Sequence, residues 1–179
     1  MLKKILIYGS IAGLIVGVPL FTMTVLMNGH PPIPYALVLG YAIMLIALST
    51  VFVAIKRHRD VDLGGVIGFW RAFGLGLAIS IIAGVFYVLA WEAALAAAHL
   101  DFAGGYAKAV IAQQQAKGIS GEALARLTAE MDQFKIQYAN PLYRLPMTFG
   151  EIFPVGLLVS LISAGLLRNR RFLPARSPP

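Results

Sequence analysis

Long apolar runs alternate with short polar stretches along this chain, and the run lengths match a lipid bilayer. Ile5 to Met27 holds no charged residue over 23 positions, Tyr35 to Ile55 none over 21, and Ala72 to Trp91 none over 20. Leu145 to Leu167 carries a single charge, Glu151. A hydrocarbon core of about 30 Å is crossed by roughly 20 helical residues rising about 1.5 Å each. The pattern predicts an all-α integral membrane four-helix bundle, one domain over residues 1–179, with spans at about 5–27, 35–55, 70–95 and 147–167.

Between the third and fourth spans lies an insert, about residues 101–140, too long for a structureless loop. Its pattern predicts an amphipathic helical hairpin. Gly118 follows Lys117 as a helix C-cap would, and Ser120 is placed as an N-cap, with Glu122 in the first turn. Leu124, Leu127, Met131, Phe134 and Tyr138 then recur at three-four spacing and form one apolar stripe. Asn140–Pro141 ends this helix, because the residue before proline disfavours helical torsions. The first arm is less regular, with Phe102, Tyr106, Ala109, Val110 and Gln113 partly on one face, and Gly104–Gly105 predicts a bend before it. The stripes either pack on one another or offer a docking surface to a partner.

Charge adds an orientation. Lys and Arg in short loops favour the cytoplasm. Lys3 and Lys4, then Lys56, Arg57, Arg59 and Arg71, then Arg168, Arg170, Arg171 and Arg176 fall on one side of a four-span topology. Asn28–Pro34 carries no Lys or Arg, and the insert has balanced charge. Both termini are expected in the cytoplasm, and the insert in the periplasm of a bacterial inner membrane. The first run is longer than the roughly 7–15 apolar residues of a signal core and lacks an A-x-A site, so it reads as a retained helix.

Composition narrows the chemistry. With 59% hydrophobic and 13% charged residues, the net charge of +7 belongs to helix ends in a membrane, and no nucleic-acid partner is expected. Cysteine is absent, which excludes disulfides and thiol catalysis. The histidines, His30, His58 and His99, are scattered, so no metal centre or cofactor is expected. Gly64-Gly65-x-x-Gly68 has neither the preceding strand nor the later acidic residue of a dinucleotide site.

Polar residues at the span ends are the remaining candidates. Glu92, His99, Asp101, Arg144 and Glu151 are expected to converge on the outer side, as a salt-bridged girdle or as an ion or proton site. On the inner side Lys56, Arg57, Arg59 and Arg71 are candidate lipid-headgroup contacts. Tyr35, Trp70, Tyr87 and Trp91 are placed as interfacial aromatics. In lipid, helices associate through close packing of small residues. Gly9, Gly13 and Gly17 form one such face; Ala72, Gly76, Ser80 and Gly84 form a second; Gly156, Ser160 and Ala164 form a third. They serve packing within the chain or homodimerisation.

Gly40-Tyr41, Met44, Leu48-Ser49, Lys56, Arg59-Asp60, Gly64-Gly65 and Phe69, followed by Tyr87, Trp91, Asp101-Phe102, Tyr106 and the Gly118 turn, form an ordered set. In this set the chain resembles a bacterial family of small membrane proteins, the domain of unknown function DUF4199. One departure is Ala54, where the family would have glycine. The resemblance implies four spans with a helical insert between the third and fourth, and carries no reaction, ligand or catalytic residue. The expectation for function is therefore a non-enzymatic interaction or accessory protein whose insert is the contact surface. The alternative is a small transporter or ion-binding protein using Glu92 and Glu151.

Overall fold

A computed structural model describes residues 1–27 and 35–174, so the Asn28–Pro34 loop and Arg176 lie outside the described residues. Six α-helices follow in order: α1 Leu2–Leu26, α2 Ala36–Arg57, α3 Phe69–Ala98, α4 Phe102–Ala116, α5 Gly121–Ala139 and α6 Pro141–Leu167. Among the described residues there is no strand. Helices α1, α2, α3 and α6 are long and apolar enough to cross a bilayer, which makes this a multi-pass membrane protein. Large apolar side chains such as Leu14, Val18, Leu37, Ile46, Leu89 and Ile162 point away from the bundle, an inversion of soluble packing that suits lipid as the solvent.

The interior is built from small residues, and their contacts fix how the helices run. A Cβ on Gly9 would meet Ile82 Cβ at 2.6 Å, Gly13 abuts Phe86, and a Cβ on Gly17 would meet Ala90 Cβ at 3.1 Å. Each step of four along α1 matches a step of four in the same sense along α3, so these helices are parallel. Across α3 and α6 the sense reverses: Gly76 lies against Ser160, Ser80 against Gly156 and Gly84 against Phe149. Those helices are antiparallel. Ser80 and Ser160 lie 3.3 Å apart at the oxygens and donate to the Gly76 and Gly156 carbonyls of their own helices, so neither hydroxyl is left unsatisfied. The Gly9–Gly13–Gly17 face packs against α3 within the chain.

Two further contacts bring the N-terminal end, the α2–α3 turn and the segment after α6 to one end of the bundle. Lys4 pairs with Asp62, and Arg59 donates to carbonyls of Phe172 and Leu173. The turn begins as α2 widens into a π-turn at His58–Asp62, and it closes through Gly64 and Gly65 at φ of 62° and 88°, left-handed torsions that favour glycine.

At the other end, Gly118 (φ 89°) follows the Lys117 cap of α4. Ser120 flanks α5 in extended backbone, although its side chain makes no capping hydrogen bond. Helices α4 and α5 are antiparallel, since Phe102 faces Tyr138 at 5.4 Å and Tyr106 faces Phe134 at 5.6 Å between ring centroids. The apolar stripe thus turns inward onto the first arm. The fourth spanning helix starts earlier than its hydropathy suggests. Asn140 accepts from Leu142 N at 3.0 Å and Pro141 occupies the first turn, so α6 begins at once and contains both Pro146 and Pro154.

Because Gly9 and Gly156 face rigid Cβ atoms at 2.6 and 2.7 Å, Gly9→Ala and Gly156→Ala are expected to destabilise the bundle by about 1–3 kcal/mol. Gly74→Ala, with nothing within 4 Å of the added carbon, should leave it unharmed. Thermal unfolding in detergent checks this; equal midpoints for all three would remove the packing argument.

Candidate functional site

The hairpin end is assembled by helix caps. His99 ends α3 in left-handed torsions (φ 48°), and Leu100 N donates back to Leu95 O at 3.1 Å. Asp101 then caps α4, its carboxylate accepting from Gly104 N at 2.9 Å, and a side chain on Gly104 would collide with that carboxylate. These caps set the direction in which the chain leaves α3 and enters α4.

An ion pair locks the arrangement. Arg144 donates from Nε to Glu92 Oε1 at 2.6 Å and from Nη2 to Oε2 at 2.5 Å, the bidentate geometry in which such pairs are strongest. Its remaining nitrogen, Nη1, donates to Tyr138 O at 3.2 Å, and the guanidinium lies 5.6 Å from the Tyr138 ring centroid. Helices α3, α5 and α6 thus meet at one side chain. Trp91 Nε1 donates to Tyr138 Oη at 2.8 Å. Burial pushes the Tyr138 phenol above its ordinary pKa, against the opposing effects of the Trp91 hydrogen bond and the Arg144 charge.

Beside the ion pair is a cavity of about 510 Å³, within the about 300–1,000 Å³ range of small-molecule sites. Its walls are mostly aromatic: Tyr87 and Trp91 from α3, Phe102 and Tyr106 from α4, Phe134 and Tyr138 from α5. The rings support one another, with Trp91 edge-on to Phe102 at 5.1 Å and Phe134 5.4 Å from Tyr138. Glu151 of α6 lines the same cavity and accepts from Tyr87 Oη at 2.9 Å. Among the described residues no Lys or Arg pairs with Glu151.

The five outer candidates therefore separate into distinct roles. Glu92 and Arg144 pair, Glu151 faces the cavity, Asp101 caps α4 and His99 ends α3 in an exposed position. Among the described residues no three metal-ligating side chains cluster. Reasoning from sequence missed the aromatic walls, having assigned Tyr87 and Trp91 to the membrane interface. The available signal was three aromatic pairs at i,i+4 spacing: Tyr87–Trp91, Phe102–Tyr106 and Phe134–Tyr138.

The opposite end corrects one of the four headgroup candidates. Arg57 and Arg71 are exposed, and Lys56 is half-buried and pairs with Asp60 at 2.5 Å. Arg59 is fully buried: Nε donates to Asp60 at 2.6 Å, and Nη1 to Leu167 O at 3.3 Å and Phe172 O at 3.0 Å. Its charge is spent on the C-terminal carbonyls of α6 and the turn after it, where a cation complements the helix dipole. It is not available to a lipid phosphate.

The chain belongs to the family described as a protein of unknown function (DUF4199), whose profile matches residues 7–169. No curated protein and no solved structure matches it.

Two outcomes follow from these ion pairs. Glu92→Gln and Arg144→Gln should each cost about 1–3 kcal/mol, and the double variant little more than either alone, because the two groups act as a unit; additive losses in detergent melting would contradict the pairing. Arg59→Gln leaves the buried carbonyls of Leu167 and Phe172 without their charged donor, with Asp60 still paired to Lys56, and should cost about 1–3 kcal/mol. Trypsin should then cut faster at Arg168 to Arg171; an unchanged digestion rate would show that Arg59 does not hold this segment.

Proposed function

We propose that this protein is a non-enzymatic accessory protein of the bacterial inner membrane, with both termini cytoplasmic and the α4–α5 hairpin outside, and that it works by binding through that hairpin. The observation that carries the reading is the anchoring of the hairpin. The hairpin is tied to α3 by the Trp91–Tyr138 hydrogen bond and to α6 by the Arg144 donation to Tyr138 O, while Tyr138 is the one buried residue that α5 contributes. A helix held in this way with its polar face exposed suits recognition. Among the described residues the cavity beneath it is walled mainly by aromatic rings and methionines, with Glu151 and the Thr148 hydroxyl beside them and no Ser, Cys, His or Lys, a lining that suits binding better than bond-making. The orientation rests on Lys3, Lys4, Lys56, Arg57, Arg168, Arg170 and Arg171, which belong to the end opposite the hairpin.

The rival reading, a small cation or proton transporter using the outer carboxylates, draws on Glu151, because Arg144 already neutralises Glu92. In reconstituted vesicles, proton and cation flux is expected to stay at the level of empty vesicles. Flux that disappears with Glu151→Gln would replace the accessory reading with the transport one. Reporter fusions should place Gly118 outside and Pro174 inside; the reverse would invert the membrane orientation on which the reading depends.

A further inference from the structure

We propose that the aromatic cavity beneath the hairpin is a binding site for an organic ammonium ion, an alkylated amine with an apolar body. This goes beyond the accessory reading and holds whichever side of the membrane the hairpin occupies. Charge decides the sign of the ligand. Among the described residues the walls contain one acidic side chain, Glu151, and no Lys, Arg or His. An anion would meet repulsion with no compensating donor of positive charge. A carboxylate near the apolar zone is costly without a counter-ion, and among the described residues its hydrogen-bond partner is the neutral Tyr87 hydroxyl. A bound cation completes the site.

The surroundings decide what kind of cation. A hard metal ion favours several carboxylate and carbonyl oxygens, and among the described residues the walls offer one carboxylate, the other oxygens being neutral hydroxyls. Aromatic faces attract alkylammonium groups, which bring weak hydration and a large apolar surface to the rings. Trp91, Tyr106, Phe134 and Tyr138 form such a set of walls around Glu151, and the unbranched thioethers of Met131 and Met147 fill the remaining edge adaptably. Tyr138 already makes a cation–π contact with Arg144. Two sources present this chemistry: the headgroup of a zwitterionic phospholipid in the surrounding leaflet, and a free amine.

Trp91 lies in the cavity wall and Trp70 at the other end of α3, so the full chain carrying Trp70→Phe reports on the site through its one remaining tryptophan. In maltoside micelles, choline and tetramethylammonium are expected to change Trp91 emission saturably. Their neutral isostere 3,3-dimethyl-1-butanol should bind at least about tenfold more weakly, and Glu151→Gln should weaken choline by a similar factor. Equal binding of choline and the neutral isostere would overturn the proposal with the Glu151 side chain intact, whatever that variant does to folding. So would unchanged choline binding in a folded Glu151→Gln protein. Nanodiscs separate the sources. Weaker choline binding in phosphatidylcholine discs than in phosphatidylglycerol discs of matched ionic strength assigns the site to lipid headgroups, and equal binding assigns it to a free amine.

Discussion

In lipid the hydrophobic effect gives two apolar helices little reason to associate, so the register between α3 and α6 depends on backbone approach. Gly76 against Ser160 and Ser80 against Gly156 set that register at the bundle centre. Twelve residues further along α3 is Glu92, and twelve residues back along α6 is Arg144. The ion pair at the hairpin end therefore continues the small-residue register. Tyr87 and Glu151 fall between the two contacts and meet for the same reason. A slip of one residue would separate both pairs together.

The hairpin is fixed by its surroundings more than by its own helices. Helix α5 buries Tyr138, and α4 buries Ala103, Gly104 and Ala107, which is too little surface for two short helices to be stable alone. The Asp101 and Asn140 caps set the entry and exit directions, and the Glu92–Arg144 pair with the Trp91–Tyr138 hydrogen bond supplies anchorage. Placing these polar links where α3 and α6 leave the apolar zone gives charged groups partners at a depth where water is scarce.

Much of the architecture was legible in the sequence because lipid imposes a length and an apolar character that few other contexts require. The four spans, the helical insert, the Gly118 turn and the small-residue faces all follow from local composition. The cavity did not, since seven aromatic residues from four helices become one surface only after the chain has folded. Arg59 was misplaced for a related reason. Sequence shows a basic cluster, whereas burial depends on a carbonyl acceptor 108 residues away at Leu167 and others beyond it. The start of α6 was obscured because its first turn is polar enough to read as part of the insert.

The Arg59 latch also orders events during biosynthesis. A ribosome delivers this guanidinium to the membrane long before Leu167 leaves the exit tunnel, so for most of translation the side chain lacks the carbonyls that later surround it. Until then it must stay hydrated or rest on Asp60 alone. Arrival of the last helix lets the arginine withdraw from water, which makes completion of α6 the step that seals the end opposite the hairpin rather than one more addition to an already closed bundle.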